Sequence, residues 1–242
     1  MVAAFEVVGR FTAASNATLL VRLTDRGDDA EPDDPADLAV HKPARGERPL
    51  WDFPEGSLHR REVAAHEISR AGGFDLVPVT VLREDGPFGP GSLQRFVDHD
   101  PSLHYFRLLE DATEDVLERL LELAVLDLVL DNADRKAGHV LVERGAGPIA
   151  TRLRAVDHGV CLNVEAKLRT VVWHLAGRAV PASVRERLVT LDRALAGDLG
   201  ARLAGLIDAD ELDVLAQRVR RLIELEALPA PSGPHDLPWP LV

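Results

Sequence analysis

Three short segments hold side chains whose types and spacing suit one kind of chemistry. The first is Asp131-Asn-Ala-Asp-Arg-Lys-Ala-Gly-His139, a polar stretch that directly follows a run of apolar residues. Two carboxylates, an arginine and a lysine in such a place are costly to bury without a purpose. The second is Val156-Asp-His-Gly159, an acidic residue at the end of an apolar run with a glycine that permits a turn. The third pairs Lys42 with Glu62, twenty residues on. Moving a phosphoryl group needs positive charge around the transferred oxygens and a carboxylate for the attacking hydroxyl. Lys42, Asp157 with a bound cation, and Asp134 supply one of each.

These residues need elements to hold them. Residues 5–9 and 17–23 are short β-type runs joined by a small, polar turn, and Leu38–Lys42 is a third strand stopped by Pro43. Ser57 is expected to cap a helix over Leu58–Ala71 that ends at Gly72-Gly73. Further strands are expected over Leu76–Leu82 and Ser92–Val97, with a turn over 85–91. The first hundred residues therefore read as a mostly antiparallel sheet with one helix.

The remainder changes character. Thr113 opens a helix over Glu114–Leu130, apolar nearly all round in its second half, as in a helix buried at the centre of a lobe. Two β-runs, Val140–Val142 and Leu153–Val156, flank a Gly-rich turn at 145–148 and place Asp134 and Asp157 at one end of the pair. From 182 to 226 the pattern is helical, with breaks near Gly197, Gly200 and Asp208. The last fourteen residues hold five prolines and read as an extended tail pinned by Trp239. The fold class is α+β, in two lobes: about 1–97, a sheet with one helix, and about 98–242, mainly helical. A site between such lobes is the default expectation.

Composition bounds the partners. The net charge of −12 argues against a nucleic-acid binder, which needs a basic footprint. Seven acidic residues fall within 25–37, read as a solvated loop, since Pro32 and Pro35 break the spacing of a calcium loop. No apolar run reaches the roughly 18–20 residues of a membrane span, and the first residues lack the pattern of a secretory signal. The one cysteine, Cys161, is expected buried and fits a reducing cytoplasm. His59 and His66 are expected at the surface, and Trp51 and Phe53 as loop anchors.

The ordered set Lys42, Glu62, Asn132-Ala-Asp134-Arg135 and Val156-Asp157-His158-Gly159 resembles the skeleton of the protein-kinase-like superfamily. In detail it is similar to the phosphatidylinositol 3- and 4-kinase branch and to HipA-type bacterial kinases. The stretch from Lys42 through Arg61-Glu-Val-Ala-Ala65 also resembles an actinobacterial family grouped with those lipid kinases. The resemblance covers about residues 5–165. It implies a two-lobed kinase-like fold and an ATP-dependent phosphotransferase using Mg2+ or Mn2+. Lys42 would hold the α/β phosphates and Glu62 would orient it, with Glu67 as the competing partner. Ser15 and Asn16 would cover the phosphates. Gln94 to Val97, including Phe96, would hydrogen-bond adenine through the backbone. Asp134 would take the proton of the attacking hydroxyl, and Asp157 would ligate the metal.

One position departs from that pattern. His139 stands where the family places a metal-binding Asn, and imidazole is a softer ligand than an amide oxygen. Either His139 is a substituted ligand or the second metal site is lost. The second alternative describes a pseudokinase that binds nucleotide or scaffolds partners. The first hairpin also lacks glycine after Gly9. The acceptor, a protein or a small molecule such as the antibiotics taken by related phosphotransferases, is not legible.

Overall fold

The computed structural model describes residues 5–12, 15–24, 37–84 and 88–242. The expected acidic loop and the turn after residue 84 lie largely outside the described residues. Five strands, β1 (Phe5–Arg10), β2 (Leu19–Leu23), β3 (Leu38–Pro43), β4 (Thr80–Arg83) and β5 (Gly91–Arg95), form one sheet in the order β1-β2-β3-β5-β4. All its pairings are antiparallel. Along β3 burial alternates, so Ala39 and His41 point into one face while Val40 and Lys42 share the other. Lys42 is paired with Ser92 across β3 and β5. Gly91 permits that pairing, because a Cβ there would lie 2.6 Å from the Lys42 carbonyl oxygen.

Helix α1 (Leu58–Ala71) spans the expected residues and ends at Gly73 with φ +70. Its cap differs from expectation. Ser57 makes no side-chain cap bond; Glu47 reaches in from the preceding loop and accepts from the N–H groups of Leu58 (3.1 Å) and His59 (2.8 Å). A carboxylate there satisfies two orphan donors and meets the positive end of the helix dipole. His59 is buried, not superficial, because its Nδ1 joins the same carboxylate at 2.8 Å. His66 is buried as well, against the Val77 carbonyl.

The second half comprises α2 (Tyr105–Glu110), α3 (Glu114–Leu130), the hairpin β6 (Val140–Val142) and β7 (Leu153–Ala155), and α5 (Ala182–Leu195), α6 (Asp198–Leu203) and α7 (Ala209–Ile223). A single helical turn, α4 (Ile149–Arg152), interrupts the hairpin where only a Gly-rich turn is expected. Gly200 lies inside α6, so the breaks fall at Gly197 and before Asp208, which caps α7. The strand expected from Leu76 begins only at Thr80, since Pro78 has no N–H for a ladder. β5 likewise stops at Arg95, short of Val97. Trp239 is 87% exposed and pins nothing. Instead the tail is held by its carbonyls, Asp236 accepting from Thr170 (3.0 Å) and Leu241 from Ala137 (2.8 Å).

Ala64, Ala65 and Ile68 of α1 belong to the same apolar cluster as Leu123 and Val129 of α3 and Leu215 of α7. The sheet keeps a separate small cluster of Val21, Ala39 and Leu93. Each fully buried leucine in the larger cluster contributes roughly 1.5–3 kcal/mol, so the helical half carries most of the apolar stabilisation. Among the described residues no helix is long and apolar enough to cross a membrane.

Candidate functional site

Lys42, Glu62 and Asp157 meet where the sheet faces the helical half. The Lys42 ammonium donates to Glu62 Oε1 and, at 2.7 Å, to Asp157 Oδ1. The second oxygen of Glu62 accepts from the His158 N–H at 3.1 Å, so one carboxylate joins strand β3 to the turn after β7. Glu67, the competing partner, faces away and pairs with Arg70 and Arg202. Asp157 takes a left-handed conformation, φ +62, uncommon for a residue other than glycine, with its carboxylate set against Lys42.

A buried arginine shapes the loop before β6. Arg135 is fully buried. Its guanidinium bonds both oxygens of Asp127 on α3 (3.0–3.1 Å), the Val156 carbonyl (2.7 Å) and His158 Nε2 (2.6 Å). Asp127 also accepts from Asn132 (3.3 Å) and Thr170 (3.2 Å). Asn132 in turn receives the Asp134 N–H at 3.0 Å. Thus Asp127 fixes the loop that carries Asp134, and Arg135 ties it to the loop that carries Asp157. The sequence signal for this hub is Asp127, the one charged residue in the apolar second half of α3 (Leu123–Leu130), which demands a partner.

The electrostatics follow from this crowding. Burial opposes the charge of Lys42, but Asp157 and Glu62 outweigh it and hold the ammonium above its ordinary range. Lys42, ahead of His139 and against the effect of burial, holds the half-accessible Asp157 carboxyl well below the usual carboxylate range. Asp134 is pushed the other way, by burial first and by the charge of Asp157, although Lys136 Nζ lies 2.6 Å from its Oδ2. Lys136, noted in the sequence only as one of the charges of this loop, is a further positive group at the site. Burial lowers His139 to about 4 and lowers His158 strongly, so both rings are neutral at physiological pH.

His139 Nε2 stands 3.3 Å from Asp157 Oδ2, and its Nδ1 faces the Lys136 N–H at 3.4 Å. With Nδ1 as acceptor, the ring proton sits on Nε2 and points at Asp157. Among the described residues no group of three or more His, Cys, Asp or Glu side chains is placed to hold a metal. Asp157 offers a hard oxygen ligand of the kind Mg2+ or Mn2+ takes; His139 could join it only in the other tautomer, with its proton on Nδ1.

The other expected residues lie elsewhere. Asn16 Oδ1 accepts from the Arg48 N–H at 2.8 Å, and Ser15 beside it is exposed; the turn between β1 and β2 is only partly described. The Gln94 side chain is spent inside the sheet on Thr80 Oγ1 at 2.8 Å. The Phe96 N–H bonds the Leu38 carbonyl (3.0 Å), and the Val97 carbonyl faces His99 Nδ1 (2.8 Å), so adenine would have to use the other backbone groups of this segment. Phe53 is buried as an anchor; Trp51 is 91% exposed.

No protein-family model matches the chain. It is 37% identical to Protein Rv2133c of Mycobacterium tuberculosis, across 97% of this chain and 91% of that one. It is 34% identical to phosphatidylinositol 4-kinase gamma 4 of Oryza sativa subsp. japonica over 135 residues and 31% identical to the Arabidopsis thaliana protein of that name over 163. These alignments span 49% and 57% of this chain but only 22% and 27% of the plant proteins. Among solved structures, the Helicobacter pylori proinflammatory kinase CtkA aligns with a TM-score of 0.54 at 11% identity, covering 93% of both chains. Hydra Fam20 with sugar aligns at 0.52 and 13% identity, covering 91% of this chain and 84% of its own. The architecture is thus a two-lobed, protein-kinase-like α+β fold.

Proposed function

This chain belongs to the same family as Protein Rv2133c of Mycobacterium tuberculosis, and from the site we propose that it is an ATP-dependent phosphotransferase, an atypical kinase acting on a hydroxyl group. The observation that carries the proposal is Lys42 held between Glu62 and Asp157, with Asp134 close enough to feel the charge of Asp157. The names of the plant relatives and of CtkA support it. Within this proposal the finer kinship is with the phosphatidylinositol 3- and 4-kinase branch, with likeness to HipA-type kinases. The nucleotide lies between residues 1–97 and 98–242.

Lys42 binds the α/β phosphates, and Glu62 keeps its ammonium aimed. Asp157, with His139 beside it, holds Mg2+ or Mn2+. When bound, the cation neutralises charge on the phosphate oxygens. Asp134 orients the acceptor hydroxyl and takes its proton as the oxygen bonds to the γ-phosphorus and the bond to the ADP oxygen breaks. Lys136, paired with Asp134, adds positive charge near the transferred group. Ser15, Asn16 and the backbone of Gln94 to Val97 flank the nucleotide. A single cysteine and ATP use suit the cytoplasm. The net charge of −12 favours an acceptor other than nucleic acid.

ATP turnover with Mg2+ or Mn2+, compared with Asp134→Asn and Lys42→Met, tests the proposal. Loss of at least a hundredfold in each variant is expected; equal turnover in wild type and Asp134→Asn contradicts it. His139 favours a second reading, a nucleotide-binding pseudokinase. A large gain in turnover on His139→Asn would support that reading.

A further inference from the structure

Arg61 is 1% exposed, although it neighbours Glu62 and carries a full charge. Its Nη1 donates to the Cys161 carbonyl at 2.8 Å and its Nη2 to Glu211 Oε1 at 2.6 Å. Its Nε reaches Ser57 Oγ at 3.3 Å, and the guanidinium lies 4.9 Å from the centre of the Phe53 ring. Glu211 is itself buried, and its other oxygen accepts from the Asp208 N–H at 3.0 Å, closing the start of α7. One planar fork therefore joins α1, the segment after Asp157-His158-Gly159, and the N-terminus of α7. Adjacent helical residues point about 100° apart, so Arg61 enters the helical half while Glu62 faces Lys42 and the His158 N–H.

Other contacts act in the same sense. Ala64, Ala65 and Ile68 are packed in the apolar core of the helical half, and Glu67 pairs with Arg202 of α6 at 2.9 Å. The sheet has its own separate apolar cluster and presents Lys42 to this assembly.

We propose that Arg61 is a positioning residue: it locks α1 to the helical half, so that Glu62 stands beside the Asp157–His158 turn with or without nucleotide. α1 then does not swing as a switch; packed on β4 and β5 as well, it is the fixed element against which Lys42 is set. The consequence for catalysis rests on the phosphotransferase reading; the locking of α1 does not.

Hydrogen exchange of the full chain without nucleotide tests the lock. In Arg61→Met, amides over 58–66 should exchange at least tenfold faster, while α3 changes less than twofold. Arg61→Lys should restore part of the protection. Should Arg61→Met fail to fold because Glu211 is left buried and unpaired, the double variant Arg61→Met/Glu211→Gln removes both charges and carries the same expectation. With metal and ATP, the folded variant should lose kcat by at least tenfold. Wild-type protection over 58–66 in the double variant would overturn the proposal. So would exchange rising equally in α1 and α3 with kcat unchanged. Failure of wild type to bind ATP would sink the phosphotransferase reading and leave the exchange comparison to decide on Arg61.

Discussion

Lys42 Nζ and Asp157 Oδ1 lie 2.7 Å apart, joining the sheet to the turn after β7 across 115 residues of sequence. Each group is the other's counter-ion, and in the proposed phosphotransferase each is also the group that the metal–nucleotide complex would need. Phosphates must compete with Asp157 for Lys42, and a cation must compete with Lys42 for Asp157.

That competition gives opposite expectations for two ligands. Lys42→Met should weaken ATP binding by roughly 10- to 100-fold, the scale of a lost bond between charged groups. The same variant should tighten Mn2+ alone, because Asp157 loses its competitor. Calorimetric titration of each ligand checks both; unchanged ATP affinity would contradict the assignment of Lys42.

The buried neutral ring of His139 makes stability depend on pH. Its pKa falls from 6.5 to about 4 in the folded chain, so the unfolded chain binds more protons between those values. Stability is full above pH 6.5 and is lost as the pH falls towards 4, by up to about 3 kcal/mol from this ring. His158, shifted the same way, and Asp157, held low, add to the acid loss; Asp134, held high, partly offsets it. Urea unfolding at pH 7 and pH 5 should differ less in His139→Asn than in wild type.

Asp127 and Arg135 form a fully buried pair. Arg135→Met leaves Asp127 with only Asn132 and Thr170, and should cost about 3–5 kcal/mol, as when one partner of a buried pair is removed. A drop of less than about 1 kcal/mol in urea unfolding would show that the hub is not what holds the two loops together.

Glu47, not Ser57, closes the start of α1. Glu47→Ala should cost about 1–2 kcal/mol, the upper range for a lost cap. Ser57→Ala should cost less, since its hydroxyl bonds only the Pro54 carbonyl and the edge of Arg61. Thermal unfolding of the two variants gives the order directly.

The bounds of α1 and α3 and the pairing of β6 with β7 were legible because helical and strand periodicity and the glycine stop after α1 act locally, although neither Ser57 nor Thr113 makes the side-chain cap bond expected of it. Asp134 and Asp157 stood out because charge beside apolar runs is costly unless used, and Lys42 and Glu62 because they complete an ordered set with them. The choice of Glu62 over Glu67 followed from the match at Glu62-Val-Ala-Ala65. What stayed hidden was long-range. Arg61 and Glu211 are 150 residues apart, and nothing local distinguishes them from surface charges. His59 looked superficial because its partner, Glu47, lies in a loop. Trp239 looked like an anchor by size, yet backbone carbonyls of the tail hold it, and these carry no sequence signature.

Binding of ATP with Mg2+ or Mn2+, measured by calorimetry on wild type and Asp157→Ala, bears most directly on the central claim. Metal-dependent binding in wild type, weakened at least tenfold in Asp157→Ala, is the predicted result. Absence of ATP binding in either metal, or equal affinity in the two proteins, would contradict it.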